Sequence, residues 1–377
     1  MNFELNEEQH LIGQSAREFA KEFLDPIAAD LDHSGEYPRD VIERLAGYDF
    51  LGLLLPEAVG GAGAGAVAYV AAIEEISQSC AAVATILNNH TLGSLAIAEW
   101  GNDTQKSEFV PPLAKGERLA TLAIYENGPA SGIGPDALLV SRQGDNYVLN
   151  GTKAFVRNAG VADLYVVFAT LAPAEDKKGF SVFLVDGGTP GLTVAPRLET
   201  MGLNGCPVAH VVFNNVTLPA AALLGGENGG DAIAQSLLAK ASLFEAAQTI
   251  GIGKAAVKHA AEYAKQRIQF GRPIAALQAI QTLLAEVATD CHLAWLGVQR
   301  TAQLIEDGEP FATDAAIVKA FLARFGSKML IDSCQVEGGF GYSEFMPLPR
   351  LFRDIAGTTL LDAPADFPDK IIADSIA

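Results

Sequence analysis

Two short segments near the end of the chain combine the residue types that hold a phosphorylated, ring-bearing ligand. The first is Arg267-Ile268-Gln269-Phe270-Gly271-Arg272-Pro273-Ile274, and the second, Gln335-Val336-Glu337-Gly338-Gly339-Phe340-Gly341-Tyr342, follows about 60 residues later. An arginine can fork onto a pyrophosphate. Phe270 offers a face to a flat ring. Gly338 and Gly339 let backbone N–H groups approach a phosphate or a nucleoside closely. These are the parts of a dinucleotide site that is not built on a Rossmann turn. The plainer alternatives are a surface salt bridge for Arg267 and a helix C-cap contact for Gln335.

The elements that must position these groups are legible in the hydropathy pattern. Of the 377 residues, 49% are hydrophobic and 19% charged, which fits a folded chain with a large core and more than one domain. Residues 1–118 read as an all-helical domain, with Leu5, Ile12, Ala16, Phe19 and Phe23 at helical spacing and further helices over 66–80 and 81–100. Residues 119–230 switch to short strands such as Leu164–Phe168 and Phe180–Val185 separated by turns, which predicts a small antiparallel barrel. Residues 231–377 return to long helices, a four-helix bundle. The class is therefore α+β. The Gly60–Gly65 run lacks the Lys-Ser/Thr of a phosphate-binding P-loop and reads as a helix–helix connection.

The net charge of −19 argues against general nucleic-acid binding, which needs basic patches. Four scattered cysteines without a CxxC pair, no 18-residue apolar run and no signal-like start point to a reduced, cytoplasmic protein without a membrane span. His210 and His259 have no partners at metal-ligand spacing.

Taken in this order, the two motifs and the helix–barrel–helix plan resemble the acyl-CoA dehydrogenase family, whose members use FAD. The resemblance implies that Arg267 and Phe270 reach the FAD pyrophosphate of a neighbouring subunit. It places Gln278 near the adenosine and closes Gln335, Gly338 and Gly339 over it. It also implies a homotetramer. The segment from Tyr125 to Gly132 is similar to the family's flavin-wrapping loop, with Ser131 kept and Tyr125 in place of a threonine. Lys153 to Asn158 is similar to its K-x-W-I-T-N strand, with Phe155 for Trp and Arg157 for the Thr beside flavin N5. A guanidinium there would favour anionic reduced flavin or pair with a polar substrate group; the alternative is that Arg157 turns outward to an acidic neighbour.

The family's chemistry needs a carboxylate to take the α-proton of a thioester whose carbonyl is polarised. Eight residues beyond Asp354, where the family carries Glu, this chain has Asp362, roughly 1.5 Å shorter in reach. The competing reading of Asp362 is a solvated loop acid. A second candidate base is Glu245, set among apolar residues at Leu243–Ala247; its alternative is a structural acid paired across the bundle. His90 and Ser242 are expected to border the acyl pocket.

The function implied is FAD-dependent α,β-dehydrogenation of an acyl-CoA, with electrons passed to an electron-transfer flavoprotein. The altered residues favour a short branched, cyclic or polar acyl group. The competing functions are a flavin oxidase, a non-redox eliminating enzyme, or a non-catalytic subunit of a heteromeric complex.

Overall fold

The computed structural model describes residues 4–126, 138–171, 180–360 and 366–377. Asp362 and Ser131 lie outside the described residues. Six helices come first: α1 (Glu7–Phe19), α2 (Ala28–Ser34), α3 (Arg39–Gly47), α4 (Gly65–Ser79), α5 (Ala81–Trp100) and α6 (Asp103–Ala114). The start of α1 is fixed by a capping box, in which the Asn6 side chain accepts from Gln9 N and Gln9 returns a bond to Asn6 N. Asn102 and Gln105 repeat the device on α6. The Gly60–Gly65 run is a turn into α4, as its connection reading expects.

Eight strands follow: β1 (Ala120–Ala123), β2 (Leu139–Gln143), β3 (Asn146–Arg157), β4 (Leu164–Leu171), β5 (Phe180–Asp186), β6 (Leu192–Val194), β7 (Val208–Pro219) and β8 (Leu223–Leu224). They form one sheet in the order β6-β7-β3-β2-β4-β5-β8, with β1 beside β4. Most pairs are antiparallel as expected, but β1 and β2 both run parallel to β4. Both reach β4 through crossovers rather than hairpins, a connection that strand spacing in the sequence does not reveal. Tyr147, Leu149, Tyr165, Val167, Phe183 and Phe213 are among the residues that give the sheet its own buried core.

The chain then enters α7 (Gly230–Gln266), a short β9 (Ile268–Gln269) and β10 (Arg272–Pro273) hairpin, α8 (Gln278–Glu306), α9 (Ala312–Glu337), α10 (Leu348–Leu360) and α11 (Asp366–Ile376). The 37-residue α7 is the axis of the molecule, packing against α8, α9 and α10 and also against α4 and α5. Its contact with α4 is a backbone approach: a Cβ on Gly251 would lie 2.3 Å from the Glu74 carbonyl oxygen, so only glycine fits. A single core runs from the first helices through α7 to α10. Among the described residues, no helix is long and apolar enough to cross a membrane.

Candidate active site and cofactor site

A crevice opens where β3 faces α5 and α7, lined by Asn89, Leu92, Ile124, Tyr125, Phe155, Arg157, Leu238 and Ala241. Its β3 wall is irregular for a local reason. The β3–β7 register slips between Lys153 and Val156, so β3 carries an extra residue there. Phe155 absorbs the bulge at φ 50° and is left 50% exposed, edge-on to His210 at 5.5 Å between ring centroids. A bulky residue held at positive φ and half in solvent is strained, and bulges of this kind re-aim side chains at functional sites.

Arg157, two residues on, is buried and turns inward rather than to solvent. Its Nη1 donates to Glu245 Oε1 at 3.3 Å. The other oxygen of Glu245, Oε2, accepts from Lys319 Nζ, which also donates to the carbonyl of Thr358. All four residues are buried. Thr249 Oγ1 closes the cluster, donating to the Glu245 carbonyl at 2.7 Å and lying 2.8 Å from Thr358 Oγ1. Glu245 thus has an oxygen bonded to each of two cations, the pairing across the bundle that its alternative reading describes. Burial pushes the Tyr125 phenol well above its ordinary range, with the Glu245 charge adding to the effect.

Glu126 and Lys153, which had no expected role, form another buried ion pair at 2.6 Å just behind this wall. Lys153 Nζ also donates to the Ile124 carbonyl at 2.9 Å, and Glu126 Oε1 accepts from Leu138 N at 2.8 Å. Burial pushes the Lys153 ammonium down to about 8, against the pull of Glu126. The available signal was a lysine inside an apolar strand, which must find a counter-charge.

His90 and Ser242 do not reach the crevice. Ser242 Oγ donates to the Leu238 carbonyl one turn back at 2.9 Å. His90 is fully buried; Nε2 lies 3.1 Å from the Leu113 carbonyl and Nδ1 accepts from Ala120 N at 3.2 Å. It ties α5 to the start of the sheet, while its neighbours Asn89 and Leu92 face the crevice. Burial pushes the imidazole down to about 4. The folded state therefore holds it neutral, while the unfolded chain takes up a proton near pH 6.5. Its contribution to stability is intact above about pH 6.5 and is lost as the pH falls towards 4. Between pH 7 and pH 4 the protein is expected to lose about 3 kcal/mol more than a His90→Gln variant does, as read by denaturant unfolding. Equal losses in the two proteins would refute the assignment.

The two motifs that opened the sequence analysis do converge. Arg267, Gln335, Gly338 and Gly339 line one open hollow of about 590 Å³ with Tyr263, Gln269 and Phe340. Gly338 ends α9 at φ 62°, and nothing lies within 4 Å of where its Cβ would stand, so the glycine serves the backbone turn and leaves space above it. Phe270 projects from the β9–β10 turn at φ 52°, 89% exposed. Gln278 is exposed at the start of α8 and does not line the hollow. Glu337 was not foreseen as a site residue: it is buried beside the hollow, with neither carboxylate oxygen hydrogen-bonded among the described residues, and burial pushes it up to about 7. The hollow and the crevice share no lining residue.

Profiles of the acyl-CoA dehydrogenase N-terminal, middle and C-terminal domains match residues 6–117, 130–216 and 228–376. The Bacillus subtilis acyl-CoA dehydrogenase is 37% identical over 370 residues, 98% of each chain. The chain belongs to the acyl-CoA dehydrogenase family. Another relative, the acryloyl-CoA reductase (NADH) of Anaerotignum propionicum, is 35% identical over 99% of this chain and 95% of its own. The butyryl-CoA dehydrogenase structure from Megasphaera elsdenii superposes with a TM-score of 0.96 at 31% identity, covering all of both chains. Acyl-CoA dehydrogenases are FAD-dependent oxidoreductases acting on CH–CH groups, and the residues present suit FAD. The bulge leaves an aromatic face beside a buried guanidinium, and the hollow sets an arginine against an open glycine turn.

Proposed function

We propose that this protein catalyses FAD-dependent α,β-dehydrogenation of a short acyl-CoA with a branched, cyclic or polar acyl group. The observation that carries the reading is the bulged wall of β3, which presents Phe155 and Arg157 to a crevice whose far side is α7. Phe155 and Tyr125 flank the flavin ring, and Arg157 lies on its polar edge. Arg267, Phe270, Gln335, Gly338 and Gly339 serve the pyrophosphate and adenosine of a neighbouring subunit's FAD. Gln278 and Ser131 complete the two halves. Asp362, just beyond α10, takes the α-proton. Glu245 supports the wall as an ion-pair partner. Bound flavin supplies the hydride acceptor.

The butyryl-CoA and acryloyl-CoA relatives support a short acyl group. The buried charges of Arg157, Glu245 and Lys319 behind the crevice support a compact or polar group over a long straight chain. Exposed rings of Phe270, Phe340, Tyr342 and Phe345 support a homotetramer that covers them. The four free cysteines fit a reducing, cytoplasmic setting. Electrons leave to an electron-transfer flavoprotein.

The test is product analysis of butyryl-, isobutyryl- and cyclohexanecarboxyl-CoA incubated with the enzyme and an artificial one-electron acceptor. A product lighter by two hydrogens, formed without hydrogen peroxide in air, is expected. Stoichiometric peroxide would instead make the protein an oxidase.

A further inference from the structure

Glu337, the last residue of α9, is the one acidic side chain among the described residues that line the open hollow with Arg267, Gln335, Gly338 and Gly339. It is 2% exposed, its carboxylate oxygens are shut off from solvent, and neither has a hydrogen-bond partner among the described residues. We propose that Glu337 recognises the nucleoside end of the FAD held in this hollow: its carboxyl accepts from the amino and hydroxyl groups of the adenosine and so sets the direction in which the dinucleotide lies. The inference rests on the reading of the hollow as the adenosine and pyrophosphate site.

A buried carboxyl without a partner destabilises a folded protein, and an apolar side chain would fill the same space without that loss. Nothing in the described chain offsets it: burial alone pushes the group up to about 7, with no cation opposing. Its partner must therefore come from outside the protomer, and the hollow is the way in. Gly338 and Gly339 follow Glu337 directly, and nothing lies within 4 Å of where either Cβ would stand, so there is free space beside the acid. A glutamate side chain has the rotamer freedom to turn its carboxyl to a ligand seated there. Phosphate is a poor contact for it, since the two carry charge of the same sign. Phosphate belongs with Arg267, which ends α7 on the same hollow. What a carboxyl accepts from is uncharged N–H and O–H groups, and at this end of FAD they lie on the adenine and the ribose. A cation supplied by α7 and an acid supplied by α9 thus favour one direction of the ligand and oppose the reverse.

The test is FAD release from the loaded protein on dilution, read by the rise in flavin fluorescence. Glu337→Leu is expected to raise the FAD Kd about tenfold, and Glu337→Gln, which keeps an acceptor in place, to stay within about threefold. The same samples, once the flavin has been released, are unfolded in denaturant. There the leucine variant is expected to match or exceed the parent's midpoint, because it has lost an unpaired buried acid. An acid that served only the fold would give the opposite result, a lower midpoint. Glu337→Ala is measured alongside, so that a leucine that does not fit is not mistaken for a lost contact. An FAD Kd within about twofold of the parent in both variants, or in both a weaker binding that comes with a lower midpoint or a failure to fold, would overturn the proposal. Arg267→Ala separates this from the reading of the hollow. If Arg267→Ala and Glu337→Leu both leave the FAD Kd unchanged, the hollow is not the cofactor site. If Arg267→Ala weakens binding while Glu337→Leu does not, only the role of Glu337 fails.

Discussion

Asp362→Asn is expected to slow flavin reduction by an acyl-CoA about 1,000-fold, while FAD content and thioester affinity stay near those of the parent. The carboxamide keeps the shape of the side chain and removes its ability to accept a proton. The size of the effect follows from the chemistry, since an amide cannot accept the α-proton and water is a far weaker base than a carboxylate. The helix that leads to Asp362 is firmly held. Arg353 forms a forked pair with Asp32 at 2.9 and 2.5 Å, and Asp354 accepts from Leu203 N at 2.6 Å. Burial pushes Asp354 up to about 6, with Arg350 opposing. Stopped-flow reduction of the two proteins decides the matter; a rate within threefold of the parent would remove Asp362 from the mechanism.

The second large effect is on stability. Lys153→Met is expected to cost about 3–5 kcal/mol, because it leaves the buried Glu126 carboxylate with no cation. Glu126 Oε1 would retain the Leu138 N–H, which cannot compensate for the lost charge, and Oε2 already lacks a hydrogen-bond partner among the described residues. The double variant Glu126→Gln with Lys153→Met should recover most of the loss, since no ionised group is then left buried. Denaturant unfolding of the parent and the two variants measures both numbers. A cost below about 1 kcal/mol for Lys153→Met would mean that the pair adds little.

Much of this architecture could be read before the structure. Helical spacing located α4 and α5 almost to the residue, because both are long, apolar and cleanly punctuated at Cys80. The RxxFG and QxxGGxG segments could be placed at one site because their chemistry was complementary, and they do meet in one hollow. What escaped was partner choice at long range. Nothing local to Arg157 says whether it faces solvent or a carboxylate 88 residues away. Nothing local to Lys319 says that it bonds both Glu245 and the Thr358 carbonyl. His90 was expected at the pocket because the resemblance sets its helix there; its ring faces two backbone groups instead. The parallel pairing of β1 and β2 with β4 was hidden for the same reason, as strand patterns give faces but not neighbours.

In the proposed reaction an acyl thioester delivers its hydride to a flavin in the crevice between β3 and α7. The most direct measurement is an anaerobic visible spectrum of the FAD-loaded protein during titration with butyryl-, isobutyryl- and cyclohexanecarboxyl-CoA. At least one thioester is expected to bleach the oxidised flavin band with formation of the corresponding enoyl-CoA, and Asp362→Asn is expected to abolish the bleaching. A fully loaded flavin that no thioester in the panel reduces would contradict it.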